Sequence, residues 1–115
     1  DEEVAMAKFV LFFGYTPEAW ARMIENPGDR VAAARAVVEP AGGSLEALWF
    51  MFGVHDGMAI FDAPDAEAAA AVSIAVGSTG AFRSLRTHEL VDPERMPALL
   101  GTAGRARGVY RAPGS

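Results

Sequence analysis

The stretch WFMFGVHDGMAIFDAPD, residues 49–65, places two apolar runs on either side of a short turn. The first run belongs to a segment from Leu45 to Val54, and the second covers Met58 to Ala63. Both are rich in the aromatic and branched residues that favour β-strands. Asp56 and Gly57 tolerate the positive φ angles of a tight turn, so the sequence predicts a two-residue β-hairpin.

Signals for helices stand on both sides of this hairpin. An apolar, aromatic-rich run from Lys8 to Tyr15 predicts a first strand that is buried on both faces. The Thr-Pro-Glu sequence after it is typical of a helix start, and Asn-Pro-Gly-Asp at residues 26–29 predicts that this helix breaks and begins again. Pro40 and the glycines after it end the helix. A second, alanine-rich helix is expected from Pro64-Asp65 to about Val76.

The C-terminal part predicts one more strand and an extension. The strand runs from Phe82 to Val91, and its alternation places Phe82, Ser84, Arg86 and His88 on one face. Asp92-Pro93-Glu94 begins a last helical turn or two. The segment from Gly101 to Ser115 is rich in glycine, alanine and arginine, and we expect it to be mobile or to fold onto a partner.

The predicted order of elements is β-α-β-β-α-β. This order is typical of an α+β, ferredoxin-like fold: a four-stranded antiparallel sheet with both helices on one face, here with a broken first helix. We expect residues 1–6 to be a disordered or cloning-derived lead-in, residues 7–100 to form a single domain and residues 101–115 to form a flexible or partner-wrapping tail.

Composition narrows the classes of function. The chain has 115 residues and a formal net charge of −5 at pH 7, whereas a nucleic-acid binder needs a basic face, so we expect no nucleic-acid partner. The absence of cysteine excludes disulfides and thiolate zinc sites. No apolar run approaches the ~20 residues that cross a bilayer, and the acidic first residues are unlike a secretory signal. We therefore expect a cytoplasmic protein without a membrane partner, with Met6 as its natural start.

The predicted strands carry large apolar side chains on both faces. In the first strand, Phe9, Leu11 and Phe13 alternate with Val10 and Phe12. Two helices cover one face of such a sheet, and the other face is left as a large apolar patch. We expect a second copy to cover it, sheet against sheet, which makes the protein a homodimer or a higher homo-oligomer.

Residues 7–92 resemble the GYD-domain family, small proteins placed among the dimeric α+β barrels. The resemblance rests on the broken first helix and on these stretches: Ala41-Gly42-Gly43, Leu48-Trp49-Phe50, Gly53-Val54-His55-Asp56, Ala63-Pro64-Asp65, Gly77-Ser78, and Arg83 and Thr87 in the last strand. The chain departs from the family at His55, where the tripeptide that names the family has tyrosine before the aspartate. The resemblance implies the ferredoxin-like fold and the dimer, and it implies little about activity.

His55 and Asp56 are the first candidate for chemistry. Histidine is suited to proton transfer near neutral pH, so His55 could act as a general base or acid in the mouth of a barrel. The alternative is structural: Asp56 serves the turn, and His55 caps the end of the strand. Because adjacent strand residues point to opposite faces, these two side chains are poorly placed to pair with each other.

Arg86 and His88 are the second candidate. If their strand face closes a cavity between two subunits, they form a polar cluster in an apolar pocket, which is typical of a ligand site. The alternative is a solvent-facing strand end or a hydrogen bond at an interface. Trp49 belongs to the aromatic side chains of the sheet, most of which should pack in the core or an interface, while one or two could stack on a ligand.

The sequence lacks the motifs of metal sites, phosphate-binding loops and serine hydrolases. There is no His-x-x-x-His and no clustered acidic motif, so we expect no metal. The glycines near His55 join strand to strand, no Gly-Lys-Ser/Thr follows them, and no Gly-x-Ser-x-Gly elbow exists. We expect no cofactor.

Three hypotheses about function remain. The first is a homodimeric binding module whose cavity between sheet and helices accepts a small apolar or aromatic molecule, with Trp49, His55, Arg86 and His88 as ligand-binding residues. The second is a cofactor-free enzyme of the isomerase or monooxygenase kind, in which His55 or His88 transfers a proton and Arg86 holds an oxyanion. The third is a purely structural assembly protein. We favour the first, because catalysis needs two positioned titratable groups and the sequence offers isolated ones.

Overall fold

The computed structural model describes residues 5–115, so residues 1–4 of the expected lead-in lie outside the described part. Its strands and helices are β1 (Ala7–Tyr15), α1 (Pro17–Glu25), α2 (Arg30–Val38), β2 (Ser44–Phe50), β3 (Gly57–Ala63), α3 (Ala66–Gly77), β4 (Phe82–Leu90) and α4 (Met96–Val109). The strands form one antiparallel sheet in the order β2-β3-β1-β4. This order confirms the predicted α+β, ferredoxin-like fold.

Each predicted helix start carries the expected cap. The side chain of Thr16 accepts a hydrogen bond from the backbone N–H of Ala19 at 3.2 Å, and Asp29 accepts one from Ala32 at 3.0 Å. Asp65 does the same for α3. Such caps satisfy backbone donors that have no partner within the helix. The break between α1 and α2 is therefore confirmed, because Asp29 begins a new helix.

The core lies between the sheet and the helices α2 and α3. Phe9 and Leu11 of β1 pair with Phe61 and Ala59 of β3 on this face, and all four are buried. Phe61 retains 1% of its exposure. The helices contribute buried side chains such as Val38 and Val72 to the same cluster. Burial of these apolar side chains is the main source of stability of the domain.

The two-residue hairpin predicted at Asp56 and Gly57 is wrong. Strand β2 ends at Phe50, which pairs with Gly57, so the connection is a six-residue loop, residues 51–56. Gly57 has no positive φ; the ring of Phe13 occupies the space that a Cβ at this position would need. Gly57 is therefore required for packing against Phe13, and Asp56 for a hydrogen bond to β1; neither serves a two-residue turn.

The face predicted for Phe82 is also wrong. A β-bulge between Gly14 and Tyr15 shifts the register, so that Phe82 pairs with Tyr15 while Ser84 pairs with Gly14. A slip of one residue moves a side chain to the other face of the sheet. Phe82 therefore packs on the helix side, stacked on Tyr15 with ring centroids 5.0 Å apart. Arg86 and His88 keep the predicted face.

The C-terminal helix is longer than the predicted turn or two. Helix α4 continues from Met96 to Val109, and apart from Met96 its side chains are exposed. It packs mainly against the short 3-10 turn Pro93–Arg95 that precedes it. The radius of gyration is 18.0 Å, against about 13 Å for a compact domain of ~100 residues. Helix α4 is therefore an arm that extends from the domain.

Candidate functional site

The four candidate residues from the sequence lie together on the sheet face opposite α2 and α3, which we call the open face. The strand register gives one row across it, Trp49–Met58–Phe12–Arg86, and a second row, Ala47–Ile60–Val10–His88. Trp49 keeps 66% of its exposure, and α2 and α3 leave this surface uncovered. The open face is thus a mostly apolar surface with two basic side chains on its β4 side.

Phe12 lies between the two histidines, His55 and His88, and contacts both. The ring of His55 stacks on Phe12 with centroids 4.9 Å apart, and the ring of His88 meets Phe12 edge-on at 6.1 Å. His55 comes from the β2–β3 loop and His88 from β4, so the fold joins two residues that are distant in sequence. The prediction that these positions form one cluster could not be made without the strand order.

His55 and Asp56 do not pair, as the sequence indicates. The Asp56 carboxylate accepts a hydrogen bond from the Tyr15 backbone N–H at 2.8 Å and lies 3.4 Å from the Arg83 guanidinium. The Nδ1 atom of His55 is buried and has no partner among the described residues. Asp56 therefore fixes the loop to β1 and does not orient the imidazole for proton transfer.

The acidic side chains of the open face are already engaged. The Lys8 ammonium lies 2.6 Å from Glu46 and 3.2 Å from Asp62. The hydrogen bond to Glu46 raises the pKa of Lys8 above its ordinary value, and Asp62 adds to this effect. This ion pair is largely exposed, so it contributes little to stability. It also leaves His55 and His88 without a carboxylate partner in the described part of the chain.

A separate pocket lies on the other side of the sheet, between α2, α3 and the strands. Its volume is about 220 Å³, and its walls are mainly alanine, valine, leucine and phenylalanine side chains. Val38 at the end of α2 and Ala69 near the start of α3 belong to the buried core cluster, and Val38 also lines the pocket. Towards the opposite end of the sheet, alanines such as Ala34 and Ala75 line the pocket, and their short side chains leave the space open.

Among the described lining residues, the two with polar side chains are Arg30 and Thr79. Arg30 is the first residue of α2, and Thr79 follows the last turn of α3. Because α2 and α3 run in opposite directions across the sheet, both residues lie at the same end of the pocket. The Nε atom of Arg30 is buried without a hydrogen-bond partner among the described residues.

The sequence analysis does not identify Arg30 as a candidate, although its spacing from the apolar residues of α2 could have indicated it. It lies four residues before Ala34 and eight before Val38, which trace the apolar face of α2. A charged residue on the apolar face of a helix either reaches past it to solvent or faces a polar partner. Only the position of α3 shows that the apolar face of α2 borders a pocket.

Two further findings concern the described residues. No group of three or more histidine, cysteine, aspartate or glutamate side chains in residues 5–115 has an arrangement that could hold a metal ion. Within the same residues, the helices are too short or too polar to cross a membrane.

Comparison with known families agrees with the topology. The family model described as the GYD domain matches residues 9–100. The chain belongs to the GYD-domain family. The match begins in β1 and ends within α4, so it covers the ferredoxin-like domain except the first two residues of β1 and leaves the end of the arm outside. No match was found among curated proteins.

Three solved structures are similar to this chain at low sequence identity. An uncharacterized NIPSNAP-like domain protein from Burkholderia xenovorans is 14% identical, with 78% of this chain and 87% of that chain covered and a TM-score of 0.45. A mutant chlorite dismutase from Candidatus Nitrospira defluvii is 18% identical, with 87% and 49% covered and a TM-score of 0.49. A protein of unknown function from Nitrosomonas europaea is 19% identical, with 76% and 89% covered and a TM-score of 0.37.

Proposed function

We propose that this GYD-domain protein is a homodimeric binding protein for a small apolar or aromatic molecule. The observation that carries the proposal is the pocket between α2, α3 and the sheet. It is concave, it has an apolar lining, and it borders the most buried part of the core. These are the general features of small-molecule sites.

The size of the pocket limits the ligand. A cavity of about 150 Å³ with apolar walls accommodates benzene, and pockets for drug-sized ligands run from about 300 to 1,000 Å³. The volume of about 220 Å³ lies between these values. A molecule with one aromatic ring and a short side chain, or an aliphatic chain of similar bulk, fits this range.

The pocket hypothesis is tested by filling the space. Ala34 lines the pocket, whereas Ala36 on the same helix is exposed and does not. Ala34→Leu and Ala36→Leu add the same atoms to α2, so they form a matched pair. We expect neutral single-ring probes such as indole and 3-phenylpropanamide to bind the wild-type protein and Ala36→Leu, and to bind Ala34→Leu at least about 10-fold more weakly. Titration calorimetry measures this.

Two results would contradict the pocket hypothesis. One is the absence of saturable binding of any such probe to the wild-type protein. The other is equal affinity for Ala34→Leu and Ala36→Leu, which would place the bound probe somewhere other than between α2 and α3.

The homodimer is supported by the open face. Trp49, Met58, Ile60 and Phe12 present apolar surface on a sheet that α2 and α3 cover from the other side only. A surface of this kind usually marks an interface. A second copy is the partner with matching chemistry, because a two-fold interface joins the same patch on both subunits.

Charge on the open face fits such a two-fold interface. The carboxylates of Glu46 on β2 and Asp62 on β3 share one ammonium group, that of Lys8, so this side of the face keeps an excess of negative charge. The basic Arg86 and His88 belong to β4 at the opposite edge. If the two-fold axis runs parallel to the strands, β2 of one copy faces β4 of the other. The acidic side of each sheet then opposes the basic side of its partner, which favours association in one orientation.

The arm offers a further contact for a second copy. From residue 96 to the C-terminus the chain has three arginines and no acidic residue, while the whole chain has a net charge of −5. Leu99 and Leu100 on α4 are exposed. A basic, partly apolar arm that extends from an acidic domain has the chemistry to wrap a neighbouring copy.

A cofactor-free enzyme is the second candidate, and the histidine cluster favours it. His55 and His88 both contact Phe12 on the open face, and Arg86 is the residue of β4 that pairs with Phe12. If two open faces enclose a site, either imidazole could transfer a proton and Arg86 could hold an oxyanion. Turnover that is unchanged in both His55→Ala and His88→Ala would contradict this mechanism.

A further inference from the structure

We propose that Arg30 is the anchor for an anionic group, so that the ligand of the pocket is a small apolar molecule with a carboxylate at one end. This inference rests on the proposed pocket function and specifies its ligand class. It comes from the one lining side chain that is charged and whose Nε has no partner among the described residues.

The state of Arg30 is the first argument. Its Nε is buried, and Arg30 forms none of the ion pairs in the described part of the chain. A buried donor without an acceptor destabilises the fold. A ligand carboxylate supplies both the missing acceptor and the missing negative charge.

Neighbouring polar groups are already used, so they do not compete for this role. The Thr79 hydroxyl donates to the Val76 carbonyl at 2.8 Å and accepts from the Ala81 backbone N–H at 3.3 Å. The carboxylate of Asp29, next to Arg30 in sequence, accepts from the backbone N–H of Ala32 at the start of α2. Neither supplies an acceptor that the structure directs to the Arg30 Nε.

The position of Arg30 in the fold is the second argument. It stands at the N-terminus of α2, where the helix dipole adds to the attraction for an anion. Thr79 lies at the same end of the pocket, and the apolar walls extend from there towards Val38 and Val72. A ligand with its charge at Arg30 and its ring between the helices meets matching surroundings along its length.

The guanidinium group favours a carboxylate over other polar ends. Arginine presents Nε–H and Nη–H donors in one plane, which match the two oxygens of a carboxylate. A neutral amide has one acceptor oxygen and no charge, so it gains less from the same contact. Lysine offers a point charge without this planar geometry, so it replaces arginine only in part.

The test compares an acid with its neutral amide. 3-Phenylpropanoate and 3-phenylpropanamide have nearly the same shape, and at about pH 7 the acid is ionised. Both are titrated by calorimetry into the wild-type protein, Arg30→Gln, Arg30→Lys and Arg35→Gln. Arg35 is the matched control, because it lies on the same helix, is exposed and does not line the pocket.

We expect Arg30→Gln to weaken binding of the acid by roughly 10- to 100-fold and to leave binding of the amide nearly unchanged. Arg30→Lys should have an intermediate effect on the acid, and Arg35→Gln should have none. The unliganded Arg30→Gln protein should melt close to the wild-type temperature, because Arg30 forms no ion pair within the described part of the chain. That result separates a binding role from a structural one.

Failure of this inference differs from failure of the pocket hypothesis. If the amide binds the wild-type protein and Arg30→Gln leaves the affinity for the acid unchanged, the pocket stands and Arg30 is not the anchor. A loss of acid and amide binding together in a folded Arg30→Gln protein would also overturn the role of Arg30. If neither probe binds the wild-type protein, the pocket hypothesis itself is wrong.

Discussion

The two faces of the sheet use the same strands and have opposite surroundings. On the helix face, Phe61 keeps 1% of its exposure, whereas Trp49 on the open face keeps 66%. Both faces carry large apolar side chains at alternating positions, so hydrophobicity alone does not separate them. The difference lies in what covers each face: α2 and α3 cover one side, and no element of comparable extent within residues 5–115 covers the other. A sheet of this kind has one face for its own core and leaves the other as an exposed, mostly apolar surface.

The largest effect is expected from shortening a side chain in the core. Phe61→Ala removes a buried ring and leaves a cavity, which should lower the free energy of unfolding by about 3–5 kcal/mol. Phe12→Ala on the open face should lower the free energy of unfolding by less at low protein concentration, because the Phe12 ring is partly exposed in the single chain. Chemical denaturation at several concentrations measures both. Equal, concentration-independent losses would mean that the two faces are equally buried within one chain.

A charge on the open face should dissociate the dimer that we propose. Trp49→Asp places a carboxylate in the surface that we assign to the partner, so we expect monomers at micromolar concentration, as measured by light scattering after size exclusion. Ile74→Asp is the matched control, because Ile74 is 72% exposed but lies on α3. It should leave the dimer intact. A wild-type monomer, or dissociation by Ile74→Asp alone, would contradict the assignment.

The Asp56 carboxylate fixes the loop between β2 and β3, together with the hydrogen bond from the Asp56 backbone N–H to the Phe13 carbonyl. Asp56→Ala removes the acceptor for the Tyr15 N–H and the partner of Arg83, so we expect a loss of about 1.5–3 kcal/mol in unfolding free energy. Asp56→Asn keeps an acceptor and should lose less. Thermal and chemical unfolding measure the difference. If Asp56→Ala has no effect, the carboxylate does not hold the loop.

The smallest effect concerns Lys8 at the edge of the open face. Its pKa is raised in the folded protein, chiefly by the hydrogen bond to Glu46, so the pair contributes stability below the unfolded pKa of lysine. That stability is lost as pH rises through the folded pKa, above about pH 10. Because the pair is exposed, we expect less than ~1 kcal/mol. Lys8→Gln should flatten this part of the stability curve; an identical curve would contradict the pair's role.

The comparison of the two faces also shows what the sequence could predict. Periodicity and capping residues such as Thr16 and Asp65 depend on neighbours in sequence, and both helix starts were predicted correctly from them. The hairpin at Asp56-Gly57 was predicted wrongly, because the role of Asp56 depends on Tyr15, which is 41 residues away. The bulge at Gly14 moved Phe82 to the helix face for a similar reason.

The candidate residues show the same difference between what neighbouring residues predict and what depends on distant parts of the chain. The sequence predicts that Arg86 and His88 share a strand face, and it leaves Trp49 and His55 as separate candidates. The strand order places all four on one surface around Phe12. The pocket could not be located in the same way. It exists because α2 and α3 carry short alanine side chains where larger side chains would fill the space. Arg30 becomes a candidate only when that space is known.

The central claim is that a small ligand enters the helix side of the sheet, while the open face serves another role. Methyl NMR during titration with 3-phenylpropanamide tests it most directly, because both faces carry methyl groups. The account predicts saturable shifts at Leu11, Val38 and Val72, which line the pocket, and no comparable shifts at Val10 and Ile60 on the open face. Saturable shifts confined to Val10 and Ile60 would contradict it.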